Sequence, residues 1–186
     1  MVGQPIHDPD LQLIHAMAAG DRGALDELYA RHGGGILSFL YARLGDRGLA
    51  EEVLQDVMLA AWRNASQFRG ESRVRTWLLV IARNRALNAL RGPRVALTSL
   101  DDVYEIQSPD TEPIERLQRN VNQTTVREAI RGLPAQQREV LVLVFYHQLS
   151  GPEVAQVLGI TLGTVKSRLH RAKEALRRSL QGEGSF

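Results

Sequence analysis

The sequence predicts an all-α protein of two helical domains joined by a flexible acidic linker. Apolar residues recur at helical spacing from Asp8 to Arg91 and again from about Asn122 to Leu180. Between these stretches Pro93, Pro109 and Pro113 interrupt a run of acids and Ser/Thr, which is linker composition. Charge follows the same division. Arg63 to Arg91 holds seven arginines against Glu71, Thr161 to Arg178 holds six bases against Glu174, and Asp101 to Glu115 holds six acids and no base. The expected boundaries are 1–91 and 121–181 for the domains, 92–120 for the linker and 182–186 for a tail.

Asp8-Pro9 has the chemistry of a cap followed by proline at a first helical position, with Leu11, Ile14 and Ala18 behind it; Gly20 ends this short helix. Asp21 caps a second helix with Leu25, Leu28 and Tyr29 on one face. Gly33-Gly34-Gly35 is expected to break or loosen it before Ile36, Phe39, Leu40 and Leu44 resume. Gly45-Asp46 ends that element and opens a third helix to about Asn64. Its apolar stripe is Leu49, Val53, Val57, Ala60 and Ala61, and its polar face carries Glu51, Glu52, Gln55 and Asp56. Ser72 can cap a fourth helix to Arg91, with Trp77, Leu78, Ile81, Leu87 and Leu90 as apolar positions.

Beyond the linker, one helix is expected near Asn122 to Arg131 and another from Pro134 to about Gln148. The run Val140 to Tyr146 is β-branched enough to pass for a buried strand, but its neighbours are helical and no partner strand is present, so it is read as helix. Ser150-Gly151-Pro152 starts a short helix, Gly159 ends it, and Thr161 begins a longer basic one. This is helix-turn-helix spacing. Ala155 supplies a small side chain at the helix crossing, Gly159 the tight turn, and Val165 the plug in the angle between the helices.

Composition excludes several function classes. The chain has no cysteine, so disulfides, thiolate metal sites and cysteine nucleophiles are ruled out. The five histidines, His7, His15, His32, His147 and His170, include no pair with ligand spacing on one helix, and no metal or other cofactor is expected. No Walker loop, dinucleotide fingerprint or nucleophile elbow is present, so no enzyme is indicated. The N-terminus lacks the basic segment and apolar run of a secretion signal, and the expected location is the cytoplasm.

In the last helix Val165, Leu169, Ala172 and Leu176 share a core face, while Lys166, Ser167, His170 and Arg171 share another that could enter a major groove. Lys and Arg read guanine edges, Ser and His offer adaptable hydrogen bonds, and Arg168, Lys173, Arg177 and Arg178 can bind phosphate. A solvated basic face is the bland alternative. Base-reading residues, spacing and net charge together weigh against it.

Other ordered motifs add what a plain repressor lacks. Ala50-Glu51-Glu52-Val53-Leu54-Gln55-Asp56, Ala61-Trp62-Arg63, Phe68-Arg69-Gly70-Glu71-Ser72, Arg75-Thr76-Trp77-Leu78, Ile81-Ala82-Arg83-Asn84 and Leu133-Pro134 precede Gly163-Thr164-Val165-Lys166-Ser167-Arg168-Leu169-His170-Arg171-Ala172. Together they resemble the extracytoplasmic-function (ECF, group IV) sigma factors of the sigma-70 family. The resemblance spans about Asp8 to Leu180, broken only at the linker.

That resemblance implies a four-helix region 2 in residues 1–91, which binds core RNA polymerase and recognises and melts the minus-10 element, and a region 4 in residues 121–181, which reads the minus-35 element. It implies Glu52, Gln55 and Asp56 as contacts to the beta-prime clamp helices, with the beta flap as a further polymerase partner. Glu52 stands where the family usually has Asp, and Met58 where an aromatic is common. The loop from Gln67 to Arg75, with Asn84, matches the pocket for a base flipped from the non-template strand. Such a base needs hydrogen bonds to its exposed edge and cations beside its phosphates.

The minus-10 candidates are Phe68, Arg69, Ser72, Arg73, Arg75, Trp77, Asn84 and Asn88, with Arg83 and Arg85 for backbone contacts. An aromatic such as Trp77 at helical spacing is more often core. The minus-35 candidates are Thr164, Lys166, Ser167, Arg168, His170 and Arg171. The acidic linker resembles the connector that passes the polymerase active centre, although such a stretch is often only a tether. An anti-sigma protein is the implied regulator. The alternatives are a sigma-like decoy that binds an anti-sigma factor without DNA, and a simple dimeric helix-turn-helix regulator, which leaves residues 1–91 unexplained.

Overall fold

Two aspartates start two helices by the same means. In the computed structural model, which describes residues 8–91, 126 and 128–182, the Asp21 carboxylate accepts from the Gly23 N–H at 2.9 Å and opens α2 (Arg22–Leu44). Asp46 accepts from the Leu49 N–H at 2.9 Å and opens α3 (Arg47–Asn64). Between them Gly45, at φ 71°, donates to the Tyr41 carbonyl at 2.9 Å; this left-handed position ends α2.

The helix before these, α1 (Leu11–Ala18), starts later than the Asp8-Pro9 signal suggested. Asp8 instead spans two elements. One carboxylate oxygen accepts from the Asp10 N–H at 2.9 Å, closing the entry turn of α1. The other accepts from the Val74 N–H at 2.6 Å, at the first residue of α4 (Val74–Arg91). Ser72 therefore does not cap α4, as the sequence suggested; among the described residues its hydroxyl donates only to the Arg73 carbonyl, at 3.4 Å. The cap comes from 66 residues earlier, where no local rule looks.

The three glycines do not break α2, which runs through them without interruption. Gly33 is buried, with the Tyr29 ring at ordinary contact distance from where a Cβ would stand. The helix is held by Leu28, Ile36, Phe39, Leu40 and Leu44, all buried. Their burial, worth about 2 kcal/mol each, outweighs the roughly 1 kcal/mol that each glycine costs a helix. Tyr29 itself is 50% exposed and Leu25 half-buried, so the buried face is narrower than expected.

In α4 the buried positions are Val74, Thr76, Leu78, Leu79, Ala82 and Ala86, while Trp77, Ile81, Leu87 and Leu90 are only partly covered. The expected stripe was displaced because size misled it. α4 packs on both α2 and α3, and small Ala82 and Ala86 fill the close approach that larger side chains would prevent.

Asp10, 8% exposed, is the buried acid among the described residues of this unit. Its carboxylate meets Arg31 Nη1 at 2.6 Å and His32 Nε2 at 2.7 Å, both on α2. Burial pushes the Asp10 carboxyl up, but hydrogen bonds from His32 and Arg31, and their charge, outweigh it and hold the group below its ordinary 3.8. Arg31 is raised in turn by its bond to Glu27, at 2.8 Å, and then by Asp10.

The chain divides into two compact units, with α1 to α4 in the first. In the second, residues 128–131 are helical and lead to α5 (Ala135–Phe145), to most of α6 (Gly151–Leu158) and to α7 (Leu162–Gly182). The β-branched run is helix, with Val140, Leu141 and Leu143 buried. α5 packs on α7, where Leu133, Leu141 and Ala172 are buried together. It stops at Phe145, short of Gln148, because Gln148 adopts φ 53° and the Leu149 N–H turns back to the Leu143 carbonyl at 3.0 Å. The expected linker, most of the helix expected from Asn122, and the chain after Gly182 lie outside the described residues.

Two stability outcomes follow. Gly34 is exposed and a Cβ there meets nothing within 4 Å, so Gly34→Ala is expected to raise stability by about 1 kcal/mol in denaturant unfolding. Asp10→Asn is expected to cost about 2 kcal/mol near neutral pH, since it weakens charged hydrogen bonds to Arg31 and His32. A group with a depressed native pKa stabilises above its unfolded value and loses that contribution as pH falls through the native one. The gap between wild type and Asp10→Asn should therefore narrow below pH 3.8, and a gap that widens there contradicts the assignment.

Candidate nucleic-acid interface

Capping chemistry also places the helix-turn-helix. The Ser150 N–H and hydroxyl both donate to one Glu153 carboxylate oxygen, at 2.8 and 2.6 Å, at the start of α6. Gly159, at φ 61°, makes the turn, and Thr161 Oγ1 accepts from the Thr164 N–H at 3.2 Å to open α7. Val165 and Ala172 on α7 are buried, and Leu169 and Leu176 half-buried, so this side of the helix faces the core.

The opposite side carries Lys166, Ser167, His170 and Arg171, all exposed, and none makes a hydrogen bond or ion pair among the described residues. Hydrogen-bonding groups left to water on one helix face are free to be satisfied by the edges of bases. Thr164 differs. It is half-buried, and its hydroxyl lies 2.9 Å from Thr161 Oγ1 within the cap. Arg168 and Arg171 line an open pocket of about 340 Å³ with Pro134, Ala135, Gln136 and Gln137, which brings the first turn of α5 beside the basic helix. Of the flanking bases, Lys173 Nζ lies 5.4 Å above the Phe145 ring, Arg178 Nε donates to the Glu174 carbonyl at 3.3 Å, and Arg177 is exposed.

In the first unit, Trp77, Asn84 and Asn88 fall on one side of α4, at i, i+7 and i+11. Asn84 and Asn88 are exposed and without hydrogen-bond partners among the described residues. Phe68, from the loop after the 3-10 turn Ala65–Gln67, stacks on Trp77 with ring centroids 4.8 Å apart and planes at 45°. Both rings are half-buried, so their mutual packing anchors the loop to α4. Arg69 and Arg73 are exposed, Ser72 and Arg75 half-buried, and Arg69 lies 3.9 Å from Glu71. Gly70 turns the loop at φ 69°. Arg85 is exposed, whereas the Arg83 Nε is buried and has no hydrogen-bond partner among the described residues.

On α3, Glu52, Gln55 and Asp56 are exposed and unpaired among the described residues, while Glu51 is held by Arg47 at 3.0 Å. Leu59 shares their side of the helix and is 50% exposed. Sequence reasoning passed over it. Its place outside the stripe of Val53, Val57 and Ala60 was the available signal. No group of three His, Cys, Asp or Glu among the described residues could hold a metal ion, and no described helix is long and apolar enough to cross a membrane.

Residues 28–94 match the family described as Sigma-70 region 2, and residues 123–176 match Sigma-70, region 4. The chain is 37% identical over 174 residues to the ECF RNA polymerase sigma factor SigM of Mycobacterium tuberculosis, covering 92% of this chain and 84% of that protein. The chain belongs to the ECF sigma factors. This ECF sigma factor is also 32% identical to the RNA polymerase sigma-H factor of Pseudomonas aeruginosa, over 94% of this chain and 95% of the relative. Among solved structures it is similar to CnrH in complex with the cytosolic domain of CnrY, with TM-score 0.62 and 26% identity, covering 95% of this chain and all of that one. An ECF sigma factor is an initiation factor of transcription, not an enzyme.

The stacked pair gives a direct optical readout. Phe68→Ala is expected to uncover the Trp77 ring and shift its emission to longer wavelength, measured against a Trp62→Phe background that leaves one tryptophan. An unchanged spectrum would show that the two rings do not cover each other in solution.

Proposed function

We propose that this ECF sigma factor joins core RNA polymerase through α3, captures unpaired minus-10 bases with α4 and the loop from Gln67 to Arg75, and reads a minus-35 element with α7. The reading divides the chain into region 2 at 1–91, a linker at 92–120 and region 4 at 121–181. The observation that carries it is the exposed, unpartnered set Lys166, Ser167, His170 and Arg171 on one side of a capped, core-anchored helix.

The energetics divide between the modules. Basic residues on α4 and α7 supply phosphate attraction, which is strong, salt-dependent and blind to sequence. Contacts from α7 to base edges position the protein. Strand opening then draws on the capture of an extruded base, for which Asn84 offers both a donor and an acceptor beside cationic Arg85. The acids of α3 repel DNA and suit a basic protein surface, so polymerase and promoter take different faces of the first unit.

Action on a DNA template places the protein in the cytoplasm with the polymerase. Control by an anti-sigma protein is the regulation this reading expects, and the similar protein CnrH was solved bound to another protein, the cytosolic domain of CnrY. A protein of that kind would act by covering these same exposed faces.

Lys166→Ala and Arg171→Ala are each expected to weaken minus-35 duplex binding by polymerase holoenzyme about tenfold or more. Asn84→Ala is expected to leave that binding intact and slow promoter opening, followed by permanganate reactivity of unpaired thymines. Run-off transcription from a genomic template with core polymerase identifies the cognate promoters on which these variants are compared. Equal loss of both steps for all three variants would sink the division of labour, and wild-type protein that directs no distinct start site would sink the whole reading.

A further inference from the structure

Leu59 is the one large apolar side chain on α3 that the first unit leaves in water, at 50% exposure, while Val53, Leu54, Val57 and Met58 are buried. Single exposed leucines are ordinary. The surroundings of this one are not, because Leu59 follows Glu52 by seven residues, Gln55 by four and Asp56 by three. Around the helix axis it lies about 20° from Glu52 and between Gln55 and Asp56. All three polar neighbours are exposed and have no partner among the described residues. Exposed Arg63 follows Leu59 by four residues on the same side, and an apolar side chain bordered by polar groups that have only water as partner is the layout of an interface core and its rim.

The charge of that rim selects the occupant. With Arg63 counted against Glu52 and Asp56 the face is still net negative, so a second copy docking through it would bring a surface of the same sign, and DNA would set the acids against phosphate. A basic protein surface meets neither penalty.

We propose that Leu59 is the apolar anchor of this face, seating in an aliphatic or aromatic socket on a basic helical surface of core RNA polymerase. The proposal rests on the reading of α3 as the polymerase-binding helix and adds the contact that supplies affinity. Glu52 and Asp56 steer and orient the approach, as rim charges do, and Leu59 slows departure.

The test is equilibrium binding of the full chain, fluorescently labelled, to core polymerase at low and high salt. Leu59→Ala is expected to weaken binding about tenfold at both salt concentrations, as loss of buried apolar area does. Leu59→Met should bind nearly as wild type. Glu52→Arg should weaken binding strongly at low salt and less at high salt. Thermal unfolding of Leu59→Ala should match wild type, since the side chain is half in water and alanine favours helix. Wild-type affinity in Leu59→Ala overturns the anchor. If Glu52→Arg still weakens binding in that case, the polymerase-facing assignment of α3 stands without it. If neither substitution matters, or the wild-type chain does not bind, the assignment of α3 falls too.

Discussion

Two aspartates, separated in the chain by Pro9 alone, tie the first unit together. Asp8 binds the first N–H of α4, and Asp10 binds Arg31 and His32 on α2, so the short segment leading into α1 is fastened to two helices distant in sequence. A helix N-terminus carries unsatisfied N–H groups and a partial positive charge, and a carboxylate answers both. The loop from Phe68 to Arg73 must end where α4 begins. Its position, and with it the stacking of Phe68 on Trp77, therefore depends on an anchor that the loop does not contain.

This arrangement separates support from recognition. The side chains that hold the first unit, among them Leu28, Leu40, Val57, Leu78 and Leu79, are buried, while Glu52, Gln55, Asp56, Asn84 and Asn88 stand exposed on rigid helices. The second unit follows the same principle by other means. Val165 and Ala172 fix α7 in the core, Thr161 fixes its start, and the side chains turned outward are left without internal partners. The backbone that carries these groups is fixed in advance, so binding orders only the side chains and more of each contact remains as affinity and specificity.

Much of the candidate site was legible because its signals are local. Caps at Asp21, Asp46 and Thr161, and the turn glycines Gly45 and Gly159, act within a few residues, and each is where the pattern put it. The exposed set on α7 follows from helical spacing alone once the helix is granted. What misled were features whose meaning depends on distant neighbours. Ser72 had the chemistry of a cap but lost the position to Asp8, and three glycines looked like a break until buried residues on both sides held the helix. Thr164 sat in the expected reading set, yet its hydroxyl belongs to the cap of its own helix.

The sequence by itself determined the all-helical class, the order of the helices, the segregation of charge and the family, since these rest on periodicity, turn chemistry and ordered motifs read along the chain. Only the tertiary structure decided which face of α4 is buried, that Asp8 serves two helices at once, that Arg168 and Arg171 border the first turn of α5, and that Leu59 is left in water. The physical reason is range. Hydrogen bonds within a turn and spacing along a helix are encoded in adjacent residues, whereas burial and long-range capping depend on which other segments arrive, and they arrive only when the whole unit packs.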